Sequence, residues 1–272
     1  MSAVQAWGEM LRAWAIPEEI LVQAPESPWR FPPELMRVRA EIAATGQPNT
    51  SAVRALESLP KGGAVLDVGV GGGAASLPLA KRASLIVGVD SSREMLDQFR
   101  ETARKRRVPT QELLGTWPEV SPLSPPVDVV VCNHVLYNVQ DLGPFVRALD
   151  EHARRRVVLE ITREHPLGWM NDRWMRFHGL GRPREPTADT AVVALEELGF
   201  EVHREDRLRD TSPSGFERRE DGIALTRRRL CLPAERDPEI AEALGDRLAQ
   251  RDGLWSAGPT DQVLVTLWWD RS

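Results

Sequence analysis

The sequence predicts an α/β protein built on a doubly wound parallel sheet, and three observations predict it. From about residue 60 onward, strand-like and helix-like segments alternate. The first strand runs into a glycine-rich loop, VLDVGVGGG. The segment VDVVVC is apolar at nearly every position, as a strand covered on both faces must be.

Each element follows from local pattern. Before residue 60, proline-broken helical stretches (VQAWGEMLRAW, PEEILVQA, PELMRVRAEIAA, TSAVRALESL) predict a helical cap over residues 1–60, followed by a main domain over 61–272. In that domain, residues 64–68 read as a strand, 72–82 as a helix, 84–89 as a strand and 92–104 as a helix with a serine N-cap. Strands follow at 111–114, 127–132 and 156–161, with a helix at 141–152 before the last of them. Residues 163–186 are too long for an ordinary strand-to-helix loop and read as an insertion, a lid or pocket wall. A helix at 188–198 and a sixth strand at 200–204 come next. Two amphipathic helices, 215–228 and 238–250, precede a final strand at 262–269 that can enter the sheet antiparallel.

Composition narrows the function classes. The chain has 272 residues, 42% apolar and 28% charged, as ordinary globular proteins do. A net charge of -5 argues against a general affinity for nucleic acid, and the arginine clusters at 104–107, 154–156 and 227–229 read as helix ends and solvated surface. With no apolar run of about 18 residues and no secretory leader, the expectation is a cytoplasmic protein that does not enter membranes. Cys132 and Cys231 read as buried thiols, and the five histidines show no metal-ligand spacing, so no metal is expected.

The glycine loop carries the chemistry. Glycines after the first strand let backbone N–H groups approach a ligand closely. Gly69, Gly71 and Ala74 satisfy the spacing of a dinucleotide loop, so a nicotinamide-dependent oxidoreductase is one reading. Asp67 opposes it, because a carboxylate there repels a pyrophosphate and suits a ligand with an ammonium group and a sulfonium centre. Asp90, in VGVDSS about 20 residues on, is placed to take both hydroxyls of an unphosphorylated ribose, unless it only caps the next helix.

These residues resemble the class I S-adenosylmethionine-dependent methyltransferases. VLDVGVGGG is similar to their first motif, VGVDSSREML to their second and VDVVVCNHVLYNV to their fourth-strand motif, over roughly residues 64–161. The N-terminal segment and the Trp-rich insertion resemble, more loosely, those of bacterial small-molecule members. The resemblance implies a Rossmann-like seven-stranded sheet in the order 3-2-1-4-5-7-6 with the seventh strand reversed, and S-adenosyl-L-methionine as cofactor. It implies that Gly69, Gly71 and Gly73 line the methionine moiety, that Asp67 orients its ammonium, and that Asp90 with Ser91 holds the ribose. Asn133 and His134 then meet the methionine end. Many members have Gly-Asp after the third strand, but this chain has Gly115-Thr116-Trp117; Thr116 can accept a hydrogen bond, and Trp117 can cover the adenine or donate its backbone N–H.

Methyl transfer needs a side-chain base only if the acceptor must lose a proton. His134 and Tyr137 are the candidates, with Asn138, His165 and His178 nearby in sequence or on the insertion. Tyr137 is the only tyrosine and can equally be packing. His165, Trp169, Met170, Trp174, Phe177 and His178 form an aromatic and thioether set expected to line an acceptor pocket or to pack as core. Trp29 and Phe31 close that pocket from the N-terminal side, and Arg30 is a partner for the methionine carboxylate. The expected activity is methylation of an O, N or C atom of a small molecule. The rivals are the oxidoreductase and a non-catalytic cofactor-binding protein, assembled through Trp268, Trp269 and the helices before them. The oligomeric state is open, a homodimer being one option.

Overall fold

A computed structural model describes residues 1–29, 35, 40–42, 48–208, 215–251, 253–259 and 261–271. Arg30, Phe31 and most of the helix expected from PELMRVRAEIAA lie outside the described residues. The strands are β1 (Gly63–Val68), β2 (Ala83–Asp90), β3 (Thr110–Leu114), β4 (Val127–Asn133), β5 (Ala153–Thr162), β6 (His203–Leu208), β7 (Leu248–Arg251), β8 (Leu254–Ala257) and β9 (Val263–Asp270).

Among the described residues, seven of them form one sheet in the order β3-β2-β1-β4-β5-β9-β6. The pairs from β3 to β5 are parallel, and β9 runs antiparallel to both β5 and β6. The predicted order and the reversed last strand are therefore present, β9 being the seventh strand of this sheet.

Alternation along each strand sends side chains to opposite faces. Leu66, Val68, Val130, Cys132 and Leu159 enter one core with the helices α5 (Leu142–His152) and α7 (Ala188–Glu197). Val65, Ile86, Val129, Val131 and Val158 enter the other, against α3 (Thr50–Ser58) and α4 (Arg93–Lys105). Helix α1 (Ala3–Arg12), closed by a capping box of Ser2 and Gln5, seats the fully buried Trp7 in the first core. The Trp7 Nε1–H donates to the Val139 carbonyl at 2.8 Å.

Helix α4 begins where expected, with Ser92 accepting from the Met95 N–H at 3.4 Å. Replacing that cap, Ser92→Ala, should lower stability by about 1 kcal/mol with no change in the cooperativity of urea unfolding. A larger loss would mean that the loop before the helix had collapsed with it.

Four expectations need correction. The helix expected at 72–82 is a series of turns with one 3-10 turn, Leu77–Leu79. Three consecutive glycines, Gly73 at φ +92°, and Pro78 each disfavour helix, at about 1 kcal/mol per glycine relative to alanine. The sixth strand lies later than 200–204: Phe200 packs on Trp269 at 4.7 Å between ring centres, and the ladder begins at His203. The helix expected from 215 begins at Arg219, as α8 (Arg219–Arg229). The last helix, α9 (Asp237–Leu244), stops at Gly245 (φ +51°), and the residues after it form the small β7–β8 hairpin.

A third core lies apart from the sheet. Ile16, Met170, Trp174, Ile223, Leu230, Leu232, Ile240 and Leu244 join the insertion after β5 to α8 and α9.

Candidate functional site

The site is built at the carboxyl edge of β1, β2, β4 and β5, where open α/β sheets bind ligands. Immediately after β1, Gly69 (φ +75°), Gly71 (φ +50°) and Gly73 (φ +92°) take left-handed conformations. A Cβ on Gly69 would lie 2.3 Å from Val135 Cγ2, so glycine is required for the loop to pass the turn that follows β4. The loop is fastened to β2: the N–H groups of Gly69 and Val70 both donate to the Val89 carbonyl at 2.9 Å. Asp90 adds to this, its Oδ2 accepting from Gly71 N–H and its Oδ1 from Ser92 N–H, each at 2.9 Å. The helix cap is Ser92, so the half-buried Asp90 carboxylate keeps lone pairs free for a ligand.

Asp67 is buried beneath the loop. Its Oδ2 accepts from the Ser76 hydroxyl at 2.6 Å, and its Oδ1 has no partner among the described residues. Burial pushes the carboxyl up to about 7, against the Ser76 hydrogen bond that holds it down; the charge of Asp90 adds to the rise. A cation set against Oδ1 would supply the missing partner and favour the ionised form. This orphaned acceptor fits the ammonium group of an amino-acid moiety.

At the ends of β4 and β5 a second group of polar residues meets. Asn133 donates from Nδ2 to Ser51 Oγ at 3.0 Å, and its buried Oδ1 is unpartnered among the described residues. His134 has φ +62° and donates its N–H to the Glu160 carbonyl at 2.7 Å. Its Nε2 lies 3.4 Å from Glu160 Oε1, and Arg207 Nη2 lies 3.3 Å from Glu160 Oε2. Burial pushes the Glu160 carboxyl up, but His134 and Arg207 together draw it below the usual carboxylate range. Sequence reasoning passed over Glu160 and Arg207. The signal available was an acid inside the otherwise apolar VVLEI.

The remaining predicted residues divide. Ser91 and Thr116 are exposed at the ends of β2 and β3, and Asn138 is exposed beyond β4. Trp117 does not offer its ring to an adenine: it is buried, its Nε1–H donating to the Phe145 carbonyl at 3.3 Å. Tyr137 is not available as a base. Its hydroxyl donates to the Thr162 carbonyl at 2.7 Å, its ring stacks on Trp7, and burial pushes its ionisation well up.

His165 stacks on Trp14 at 3.6 Å between ring centres, and burial pushes its imidazole down to about 3, so it stays neutral packing. Met170 and Trp174 are core, not pocket lining; Phe177 packs beside them and His178 Nε2 bonds the Leu230 carbonyl at 2.7 Å. Trp169, with the edge of His165, lines a cleft of about 330 Å³, and Arg173 and Arg247 are set over the Trp169 ring. Trp29 is half exposed.

Comparison with known proteins agrees with this geometry. The profile of a family described as "Methyltransferase domain" matches residues 65–156. The chain is 28% identical over 154 residues to a ubiquinone biosynthesis O-methyltransferase of Idiomarina loihiensis, a match covering 50% of this chain and 63% of that protein. A protein of the same description from Azorhizobium caulinodans is 35% identical over 154 residues, covering 50% of this chain and 60% of its own length. Among solved structures, the YcgJ protein of Bacillus subtilis has the same fold, with a TM-score of 0.52 at 16% identity over 82% of this chain and 98% of that one. Residues 65–156 are thus a methyltransferase domain, set in a sheet whose strand order and glycine loop are those of the class I S-adenosylmethionine-dependent methyltransferases.

Proposed function

We propose that the protein transfers the methyl group of S-adenosylmethionine to a small organic acceptor by in-line displacement. The observation that carries this reading is the pair of carboxylates about the glycine loop. Asp67 is buried with one orphaned oxygen, and Asp90 is half exposed with lone pairs to offer. A pyrophosphate would be repelled by both; an ammonium and a ribose suit them. Asp90 would accept from the ribose hydroxyls, Asp67 Oδ1 would take the ammonium, and Gly69 to Gly73 would let backbone approach between them. Asn133 Oδ1 supplies a further acceptor at the same end.

S-adenosylmethionine supplies an electrophilic methyl group, so the work left to the protein is alignment, exclusion of water and management of the acceptor's proton. The cleft lined by Arg163, His165, Trp169, Arg247, Gln262 and Val263 lies past the end of β5, at the same sheet edge, and is the proposed acceptor side. Its polar lining suits an acceptor with charged or hydrogen-bonding groups. The O-methyltransferases to which the chain is similar favour an oxygen acceptor.

Calorimetric titration tests the reading. S-adenosylmethionine and S-adenosylhomocysteine should bind and NAD should not, and Asp90→Ala should weaken both adenosyl ligands by about tenfold to a hundredfold through lost carboxylate hydrogen bonds and a loosened Gly71. Binding of NAD alone, or of no nucleoside, would overturn it.

A further inference from the structure

Glu160 and Arg207 are not needed to hold a nucleoside, yet both are kept at the site. Every other residue of VVLEI is apolar and buried, and Glu160 itself is only 3% exposed. Burying a carboxylate is expensive unless its oxygens are matched. Here Arg207 satisfies Oε2, and Oε1 is directed at His134 Nε2.

The histidine is held from both ends. Its backbone is left-handed (φ +62°), a conformation unfavourable for a residue with a Cβ, and its N–H is fastened to the Glu160 carbonyl. The ring it presents is 46% exposed. The side chain of the next residue, Val135, lies against Gly69, so the turn that carries this ring abuts the glycine loop.

An ionised carboxylate anchored by arginine can only accept. In the neutral imidazole the nitrogen facing it then carries the proton, which leaves Nδ1 with a free lone pair. We infer that Glu160, anchored by Arg207, is a positioning residue that holds His134 in the Nε2–H tautomer, so that Nδ1 takes the proton of a hydroxyl-bearing acceptor. The inference deepens the methyltransferase reading and rests on it. A phenolic hydroxyl, with a pKa of about 10, is almost wholly protonated near neutrality and gains most from a base, whereas a thiol at about 8.5 gains less. As the acceptor O–H bond breaks, its proton goes to Nδ1 and the oxygen pair forms the bond to the methyl carbon. The carbon–sulfur pair returns to sulfur, and the imidazolium later releases its proton to water.

Nitrogen-15 NMR of histidine-labelled protein, with S-adenosylhomocysteine present, reads the tautomer directly. The parent should show Nδ1 of His134 unprotonated and Nε2 protonated. In Glu160→Gln the donor-only Arg207 claims the amide oxygen and the amide N–H2 turns to His134, so the tautomer should invert. His134→Ala, which removes the base without placing a new group beside Arg207, should lower methylation of catechol at saturating S-adenosylmethionine at least about a hundredfold, well beyond any change in S-adenosylhomocysteine affinity measured alongside.

A protonated Nδ1 in the parent overturns the inference, as do ring signals unchanged by Glu160→Gln. If Glu160→Gln does not fold, the parent spectrum and His134→Ala decide. Methylation of benzylamine or thiophenol in preference to catechol, or no methylation of catechol, overturns the hydroxyl assignment. Failure of S-adenosylhomocysteine to bind would instead remove the methyltransferase reading and leave the tautomer result standing.

Discussion

Asp67→Asn should yield a protein that binds S-adenosylmethionine at least about tenfold more weakly, yet when ligand-free is more stable than the parent at pH 8. The carboxyl stands at about 7 in the folded protein, chiefly through burial, against an ordinary value of 3.8. Between those values the folded state keeps a proton that the unfolded chain has released. Stability therefore falls as pH rises from about 4 to about 7, and the loss is complete above that window. About three pKa units correspond to roughly 4 kcal/mol at most.

An asparagine has no such window. Its Oδ1 can still accept from Ser76, and its buried, unpartnered N–H2 costs about 1–3 kcal/mol at every pH. The variant should therefore lead by about 1–3 kcal/mol at pH 8 and trail at pH 4.5. Urea unfolding of both proteins at the two pH values checks this, and equal differences at both would refute the burial of an ionisable Asp67. The parent's affinity for S-adenosylmethionine should also fall as pH drops through 7, approaching tenfold per unit, because the ligand's ammonium needs the ionised carboxylate.

The second large effect is expected at Gly69. Alanine there meets two separate penalties: a left-handed backbone (φ +75°) and a Cβ placed 2.3 Å from Val135 Cγ2. Together they should cost about 2–4 kcal/mol and displace the turn carrying His134, with S-adenosylhomocysteine affinity falling at least about tenfold. The two penalties can be separated. Val135→Ala removes the collision but not the backbone strain, so the double variant should be about 1–2 kcal/mol more stable than the sum of the single changes allows. Strict additivity in thermal unfolding would show that the loop does not press on that turn.

The fold was legible because its signals are repetitive. Apolar runs such as VDVVVC, punctuated by loops and capped helices, report burial on two faces whatever their neighbours do. That the glycine loop and its two acids come together was legible for a related reason: Asp67, the glycines and Asp90 belong to two adjacent strands, so chain order maps onto position. What failed depended on partners distant in sequence. Trp117 and Tyr137 are short steps from the site along the chain, but their rings turn into the core beneath α5 and α1. Met170 and Trp174 read as a pocket stripe because nothing local shows that α8 and α9 return to cover them. Glu160 and Arg207 are 47 residues apart and meet only across β9.

That interposed strand has a consequence for how the protein is made. Among the described residues, β6 pairs as a strand only with β9, which follows it after more than 50 residues. At about 5–20 residues per second, a ribosome delivers β9 roughly 3–10 s after β6 has been synthesised. Through that interval β6 is a strand without its partner, next to other nascent chains. Its sequence, HREDRL, carries charges of both signs at four of its six positions. Such a strand is a poor template for stray pairing, and polarity that contributes little to the finished core protects the unfinished one.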